Sequence, residues 1–415
     1  MGAVAGLHCD DARTSSPTPA RPLNRAQALY LGVSLVVALA GSEGWTYHRR
    51  QVDIQVYLMG ARHLRSAHLY ALYLSGVHLP FTYPPFSTVF FWPMTLVPTG
   101  AAEVIWSMVN LASLTLIIAV TLLCVAPQAR GDQLGVPWAT VAMLLGPAVL
   151  LEPVMLDLSF GQVNLVLVAM ILTDLTTRVR IGGRTLPRGV GVGVAAAVKL
   201  VPVIFIPYLI VTRQTRAALT ATLSAAACTL AAFAVNPSAS WSYWTRYVND
   251  QSRIGTVTYI SNQSLEGALD RVAHHPLSAH VIDAVGLVVV VAGLGVAWWA
   301  WRRSSTFLAV LVTADLGLLA SPITWAHHMV WIVPVVAWLW WGRDRPAGGR
   351  WWALGAATLF YVAPMWRIAH GPAFDTSEHG VALVAGSSFT LAAALFLALV
   401  AAMLWRRGRV VAAPS

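Results

Sequence analysis

The sequence predicts an all-α protein that crosses a membrane many times, and three observations carry that prediction. Hydrophobic residues make up 57% of the chain and charged residues only 11%, where a soluble globular chain carries charge at about a quarter of its positions. Mean hydropathy is +0.65. Apolar stretches long enough to cross, or partly cross, ~30 Å of hydrocarbon recur from end to end. They lie at 27–45, 84–98, 102–124, 138–157, 163–177, 189–212, 217–235, 281–301, 305–320, 328–341, 351–364 and 381–405, about twelve in all.

Residues 1–25 (MGAVAGLHCDDARTSSPTPARPLNR) are basic and rich in Ser, Thr and Pro, the composition of a disordered cytosolic tail. The run behind it ends in Ala38-Leu39-Ala40, a small-residue pattern like a signal-peptide cleavage site; the many spans that follow favour an uncleaved first helix. Residues 26–405 read as a single transmembrane catalytic domain and 406–415 as a second cytosolic tail. Cys9, Cys124 and Cys228 lie in the tail or in apolar runs, with no spacing that suggests disulfides or metal.

A net charge of +10 would suggest nucleic acid in a soluble protein. Here the arginines sit at span ends (Arg178 to Arg188, Arg213 and Arg216, Arg302 and Arg303, Arg343 to Arg350, Arg406 to Arg409), which is the positive-inside pattern and excludes that reading. It places both termini in the cytosol and segments 46–82, 236–280, 321–327 and 365–380 on the other side. One crossing per run does not reconcile the cluster at 178–188 with the first loop, so a segment must enter and turn back. "GVGVAAAVKLVPVIFIPYLIVTR" is the best candidate, because Lys199 and Pro202 split it into halves too short to span alone. The proline-broken "YPPFSTVFFWPM" at 83–94 is the other; there Tyr83-Pro84-Pro85 is expected to end or kink a helix.

Polar residues gather at these breaks on the outer side. They are Asp53 beyond the first helix, Tyr83, Gln162 and Asn164 in "FGQVN", Lys199, Asn262, Gln263 and Ser264 in "YISNQS", and Trp325, His327 and His328 in "SPITWAHH". Such groups at membrane depth line a cavity or pathway rather than face lipid. Plainer roles compete: Asp53 as a helix cap or a partner of Arg49 or Arg50, Lys199 snorkelling to the interface, Gln162 and Asn164 satisfying carbonyls freed by a break. Adjacent His327 and His328 diverge by about 100° on a helix, which disfavours a shared metal. The tryptophan-rich tracts at 298–301, 338–341 and 351–352 read as interfacial belts. Asn262-Gln263-Ser264 also fits a glycosylation sequon.

The order of these motifs, from Asp53 through Tyr-Pro-Pro, Gly-Gln-x-Asn, Lys-x-x-Pro and Asn-Gln-Ser to Ser-Pro-x-x-Trp-x-His-His, resembles the actinobacterial polyprenol-phosphate-mannose-dependent α-1,2-mannosyltransferases. These are integral-membrane glycosyltransferases of family 87 with the GT-C fold, and the resemblance covers residues 45–330. It implies a β-linked polyprenyl-phosphate-mannose donor, used on the periplasmic face of the plasma membrane. The acceptor it implies is a mannosylated phosphatidylinositol, as in members that add the fifth mannose, or the lipomannan grown from it.

A β donor and an α product mean inversion, for which one carboxylate suffices, with Asp53 as the candidate base. The lipid phosphate needs positive charge where its own charge develops, offered by Lys199 and one of His327 and His328, with Arg62 or Arg65 in reserve. Gln162, Asn164, Asn262 and Gln263 offer amides to sugar hydroxyls; Trp325, Tyr83 or Tyr57 offers a stacking face. Ala326 stands where relatives carry an acidic or polar residue, which weakens any carboxylate-assisted histidine there. Glu152 and Asp157 have no partner identifiable in the sequence, so no cofactor and metal independence are expected. A lipid or solute transporter is the competing class, but no internal repeat supports it.

Overall fold

A computed structural model describes residues 32–34, 36, 51–125, 138–181, 184–371 and 376–412. The expected N-terminal tail, the signal-like Ala38-Leu39-Ala40, most of the 27–45 stretch, Arg49 and Arg50 lie outside the described residues.

The helices in chain order are α1 (Val52–Arg62), α2 (Phe86–Phe91), α3 (Thr99–Val125), α4 (Trp138–Val149), α5 (Glu152–Phe160), α6 (Asn164–Thr176), α7 (Val190–Val198), α8 (Phe205–Val211), α9 (Thr215–Val235), α10 (Pro237–Ser242), α11 (Leu265–Ala273), α12 (Ala279–Arg303), α13 (Thr306–Ala320), α14 (Ile332–Trp341), α15 (Gly349–Val362), α16 (Val381–Gly386) and α17 (Ser388–Ala412). Two small hairpins, Tyr73–Leu74 with Leu79–Pro80 and Arg180–Ile181 with Arg184–Thr185, are the only strands among the described residues. The chain is thus an all-α membrane protein. By length and composition, α3, α9, α12 and the first part of α17 can each cross a bilayer alone. The pair α4 and α5, bent by 82°, makes a fifth if it is one span.

A regular row of about twelve spans is therefore not what the helix lengths show, because prolines and glycines cut the other apolar runs. Pro153 sits in the first turn of α5, and Leu151 before it is extended, so the chain turns sharply between α4 and α5. Tyr83-Pro84-Pro85 does not end a helix, as expected from the sequence, but starts one. Pro85 occupies the N-cap of α2, where its missing N–H costs nothing, and the Ser87 and Thr88 hydroxyls donate to the Pro84 and Pro85 carbonyls at 2.7 and 2.8 Å.

The 189–212 segment forms the expected hairpin. α7 stops at Lys199, whose backbone is extended, and α8 begins after a short turn through Pro202. The two legs return to one place, where Arg188 Nη1 donates to Gln214 Oε1 at 3.5 Å. The first leg lies directly on α9: a Cβ on Gly193 would fall 2.3 Å from the Ala221 carbonyl, and one on Gly189, at φ +104°, 2.2 Å from that of Ala217. Only glycine permits that approach.

Capping fixes the loops that follow α9 and precede α11. Asn236 accepts from the Ala239 N–H at the start of α10 while its own amide donates to the Leu64 and Ser66 carbonyls. Ser264 caps α11 through the Gly267 N–H. The tryptophans divide: Trp298, Trp351 and Trp352 are exposed as a belt requires, but Trp338 is buried and its indole donates to Asp344 at 2.7 Å. α17 runs past residue 405 and carries Arg407 against the Arg345 carbonyl.

Candidate active site

A cavity of about 1160 Å³ opens where segments 46–82, 236–280, 321–327 and 365–380 meet, each contributing to its wall. Asp53, Tyr83, Gln162, Lys199, Trp325, His327 and His328 all line it. The structure brings these seven sequence-predicted residues together from elements that are distant along the chain.

The geometry around Asp53 follows from which groups can only donate. Gln162 stands in the turn between α5 and α6, where Gly161 takes the left-handed conformation and the Trp106 and Asn110 side chains hold the Gln162 carbonyl. The Tyr57 hydroxyl, 2.9 Å from that of Tyr83, donates to Gln162 Oε1 at 2.7 Å. With its oxygen so occupied, the amide must turn its nitrogen to Asp53, and Nε2 donates to Oδ2 at 2.8 Å. Asp53 is not the N-cap of α1, a place taken by Gln51 in the left-handed region at φ 42°. One carboxylate oxygen is thus anchored, which leaves the other to face the cavity.

α1, at 11 residues, is too short to cross a bilayer alone. Burial pushes the Asp53 carboxyl up to about 6, against the opposing pull of the Gln162 hydrogen bond and the Lys199 charge. Burial, with the Asp53 charge nearby, also raises both the Tyr57 and Tyr83 phenols and keeps them protonated donors. A base at Asp53 works only when ionised. Activity should accordingly fall as pH drops through about 6 and level off above it, as a profile of kcat/KM against pH would reveal.

Across the cavity, Lys199 sits at the tip of the hairpin. Its Nζ donates to Asn164 Oδ1 at 2.8 Å and lies 3.0 Å from His328 Nε2. An ammonium has only hydrogens to offer, so His328 accepts at Nε2 and carries its proton on Nδ1. Asn164 then turns its amide nitrogen to Asp157 Oδ1 at 2.8 Å. Tyr83 connects the two ends of the site: its ring centre is 5.6 Å from Lys199 Nζ and its hydroxyl 3.4 Å from Gln162 Oε1. Both ring nitrogens of His327, and Nδ1 of His328, are buried without a partner. A neutral imidazole carries one N–H, and in each of these two histidines that N–H is unspent.

Not every predicted residue reaches the cavity. Asn164 stands behind Lys199. Asn262 is fully buried, donating to the Val257 and Pro322 carbonyls and accepting from the Ser264 and Thr324 N–H groups. Gln263, also fully buried, donates to the Ile260 and Gly386 carbonyls and accepts from the Phe389 and Thr390 N–H groups. These two amides tie "YISNQS" to "SPITWAHH" through a bridge between Asn262 and Trp325, and have nothing left for a sugar. Burial likewise puts the Asn262 sequon out of reach of a modifying enzyme. Replacing Gln263 by Ala should cost about 2 kcal/mol or more of stability, by leaving buried backbone groups unpaired. Thermal unfolding would register that loss, while KM of the folded fraction should stay near wild type.

Sequence reading also missed residues. Arg62 and Arg65 are exposed, Arg62 donating to Thr99, and neither lines the cavity. Arg253 does, donating to the Tyr70 carbonyl with its guanidinium 4.7 Å from the Tyr247 ring. Glu152 also faces the cavity, held by the Trp366 indole. A carboxylate in an apolar run was a usable signal for Glu152; Arg253 lies in a loop without a pattern. Among the described residues, no group of three or more His, Cys, Asp or Glu converges.

The profile of glycosyltransferase family 87 matches residues 81–322. The chain is 34% identical over 325 residues to a polyprenol-phosphate-mannose-dependent alpha-(1-2)-phosphatidylinositol mannoside mannosyltransferase of Mycobacterium tuberculosis, covering 74% of each. It is 32% identical over 387 residues to a polyprenol-phosphate-mannose-dependent alpha-(1-2)-phosphatidylinositol pentamannoside mannosyltransferase of the same species, covering 88% of this chain and 86% of the relative. A mannoside mannosyltransferase of Mycolicibacterium smegmatis is 32% identical over 320 residues, 71% of each. No solved structure matches the chain.

Proposed function

The chain belongs to glycosyltransferase family 87, and on that premise we propose that it transfers mannose from polyprenyl-phosphate mannose to a mannosylated phosphatidylinositol, forming an α-1,2 linkage. The observation that carries the mechanism is the anchoring of Asp53 by Gln162 at 2.8 Å, in the same cavity as the Lys199–His328 pair. Asp53 takes the proton of the acceptor 2-hydroxyl as its oxygen attacks the anomeric carbon. The bond from that carbon to the phosphate oxygen breaks on the opposite face, and the polyprenyl phosphate leaves with the electron pair, inverting the centre. Lys199 and the unspent N–H groups of His327 and His328 meet the charge that develops on the phosphate. Asn164 and Asp157 hold the lysine in place. Trp325 and Tyr83 present faces for sugar rings.

The cavity belongs at the periplasmic end of a GT-C arrangement in the plasma membrane, with the hairpin and the bent pair of α4 and α5 counted among its dozen hydrophobic segments. What supports this orientation is the gathering of Arg178, Arg188, Arg213 and Arg216 around a separate pocket at the base of the hairpin, away from the site.

Metal independence belongs to the same reading, because Lys199 supplies the cation that a divalent metal would otherwise bring to the phosphate. Membranes from cells lacking the endogenous enzymes, supplied with both substrates, should add one mannose at the same rate with and without EDTA. Strict dependence on Mg²⁺ or Mn²⁺ would refute the metal-free mechanism. Absence of any transfer would refute the activity.

A further inference from the structure

The pocket at the base of the hairpin is not explained by sugar transfer. Its volume is about 1060 Å³, close to that of the catalytic cavity, and four arginines line it against a single carboxylate, Asp174. That carboxylate is already occupied: it accepts from the Gly189 N–H at 2.9 Å and the Val192 N–H at 3.0 Å, closing the start of α7. It caps a helix. Arg213 is exposed in the left-handed region at φ 58°, the turn between α8 and α9, and Arg216 is exposed in the first turn of α9. Both stand at the rim of the pocket.

The other walls identify the guest. The remaining walls are apolar, with Leu116, Val166, Ala169 and Met170, and the adjoining face of α9 exposes Leu219, Leu223 and Leu230 by about 60% each. α9 is long and apolar enough to cross the bilayer, so that face meets acyl chains. Arginine forks suit phosphate oxygens, and an apolar flank suits tails.

We infer that this pocket binds the phosphate of an anionic membrane phospholipid, bridging the two legs of the hairpin, with its acyl chains along the exposed leucines of α9. Arg188 and Pro187 on one leg, and Arg213 to Arg216 after the other, flank the same headgroup volume. The site is distinct from the catalytic cavity and lies at the opposite end of the hairpin from Lys199.

The test is lipid binding by the delipidated, full-length protein, followed by native mass spectrometry with phosphatidylglycerol and phosphatidylcholine as probes. One phosphatidylglycerol should be retained about tenfold more tightly than phosphatidylcholine, a gap that a charge-assisted contact can supply. Arg213→Gln/Arg216→Gln should abolish that preference. Arg213→Lys/Arg216→Lys keeps the charge that orients the loop, and it should weaken retention about threefold or more, because an ammonium lacks the fork. Lys199→Met, at the other cavity, should retain phosphatidylglycerol like the wild type. Equal binding by the Gln pair and the wild type would overturn the assignment, as would loss in Lys199→Met alone. Displacement by millimolar inorganic phosphate would point to a free-anion site and contradict the lipid.

Discussion

Asp53→Asn is expected to lower kcat by about 10³, within the range that a positioned general base contributes. The substitution is the sharpest available, because an asparagine keeps the size of the side chain and an oxygen for Gln162 Nε2 to donate to. What it removes is the basic lone pair and its charge. KM for the acceptor should therefore change little, while the acidic limb near pH 6, set by burial of the Asp53 carboxyl, should vanish from the residual activity. Near-normal turnover in a folded Asp53→Asn protein would show that another group takes the proton. Glu152 and Asp250 also line the cavity, and Glu152, the buried one of the two, makes Glu152→Gln the natural companion variant. It should leave the pH limb in place.

Lys199→Met carries the second largest effect, a loss of about 10² to 10³ in kcat accompanied by weaker donor binding. Methionine matches the length of the lysine stem but offers no hydrogen, so Asn164 Oδ1 and His328 Nε2 lose their donor together. The developing phosphate charge loses its nearest fixed cation. Lys199→Arg should recover only part of this, since the larger planar head does not fit between two acceptors set 2.8 and 3.0 Å from a single nitrogen. The two variants separate by substrate: Asp53→Asn should leave donor affinity intact, and Lys199→Met should reduce it. Equal donor affinity in wild type and Lys199→Met would remove the lysine from the phosphate site.

Much of the site was legible in the sequence because a membrane punishes polar residues that lack a purpose. Asp53, Gln162, Lys199 and the two histidines stood out against apolar surroundings, and the structure puts them around one cavity. The hairpin was legible for the same reason: Lys199 and Pro202 interrupt a run that would otherwise continue as helix. Amide function was not legible. Gln162, Asn262 and Gln263 are the same chemistry in similar loops, yet one holds the Asp53 carboxylate and the other two bind backbone. Which partner an amide finds depends on residues far along the chain, such as Pro322, Gly386 and Phe389, that carry no pattern of their own.

Helix lengths were less legible, for a related physical reason. Hydropathy counts apolar length, but it does not register where the backbone turns, and Leu151, Lys199 and Pro85 each end or start a helix inside an apolar run. Arg253 escaped notice because an arginine in a loop is ordinary, and Tyr57 was read only as a stacking face for sugar, with no link to Gln162. Tyr57 is nonetheless the residue that fixes the Gln162 amide and hence the orientation of Asp53.

The most direct measurement is the product formed by the purified wild-type chain, reconstituted in lipid with polyprenyl-phosphate mannose and a phosphatidylinositol mannoside and analysed by mass spectrometry and NMR. The expected product carries one additional mannose in α-1,2 linkage, with polyprenyl phosphate released in equal amount. An unchanged acceptor, with the intact donor appearing in the opposite leaflet, would contradict the account and make the cavity a passage for lipid instead.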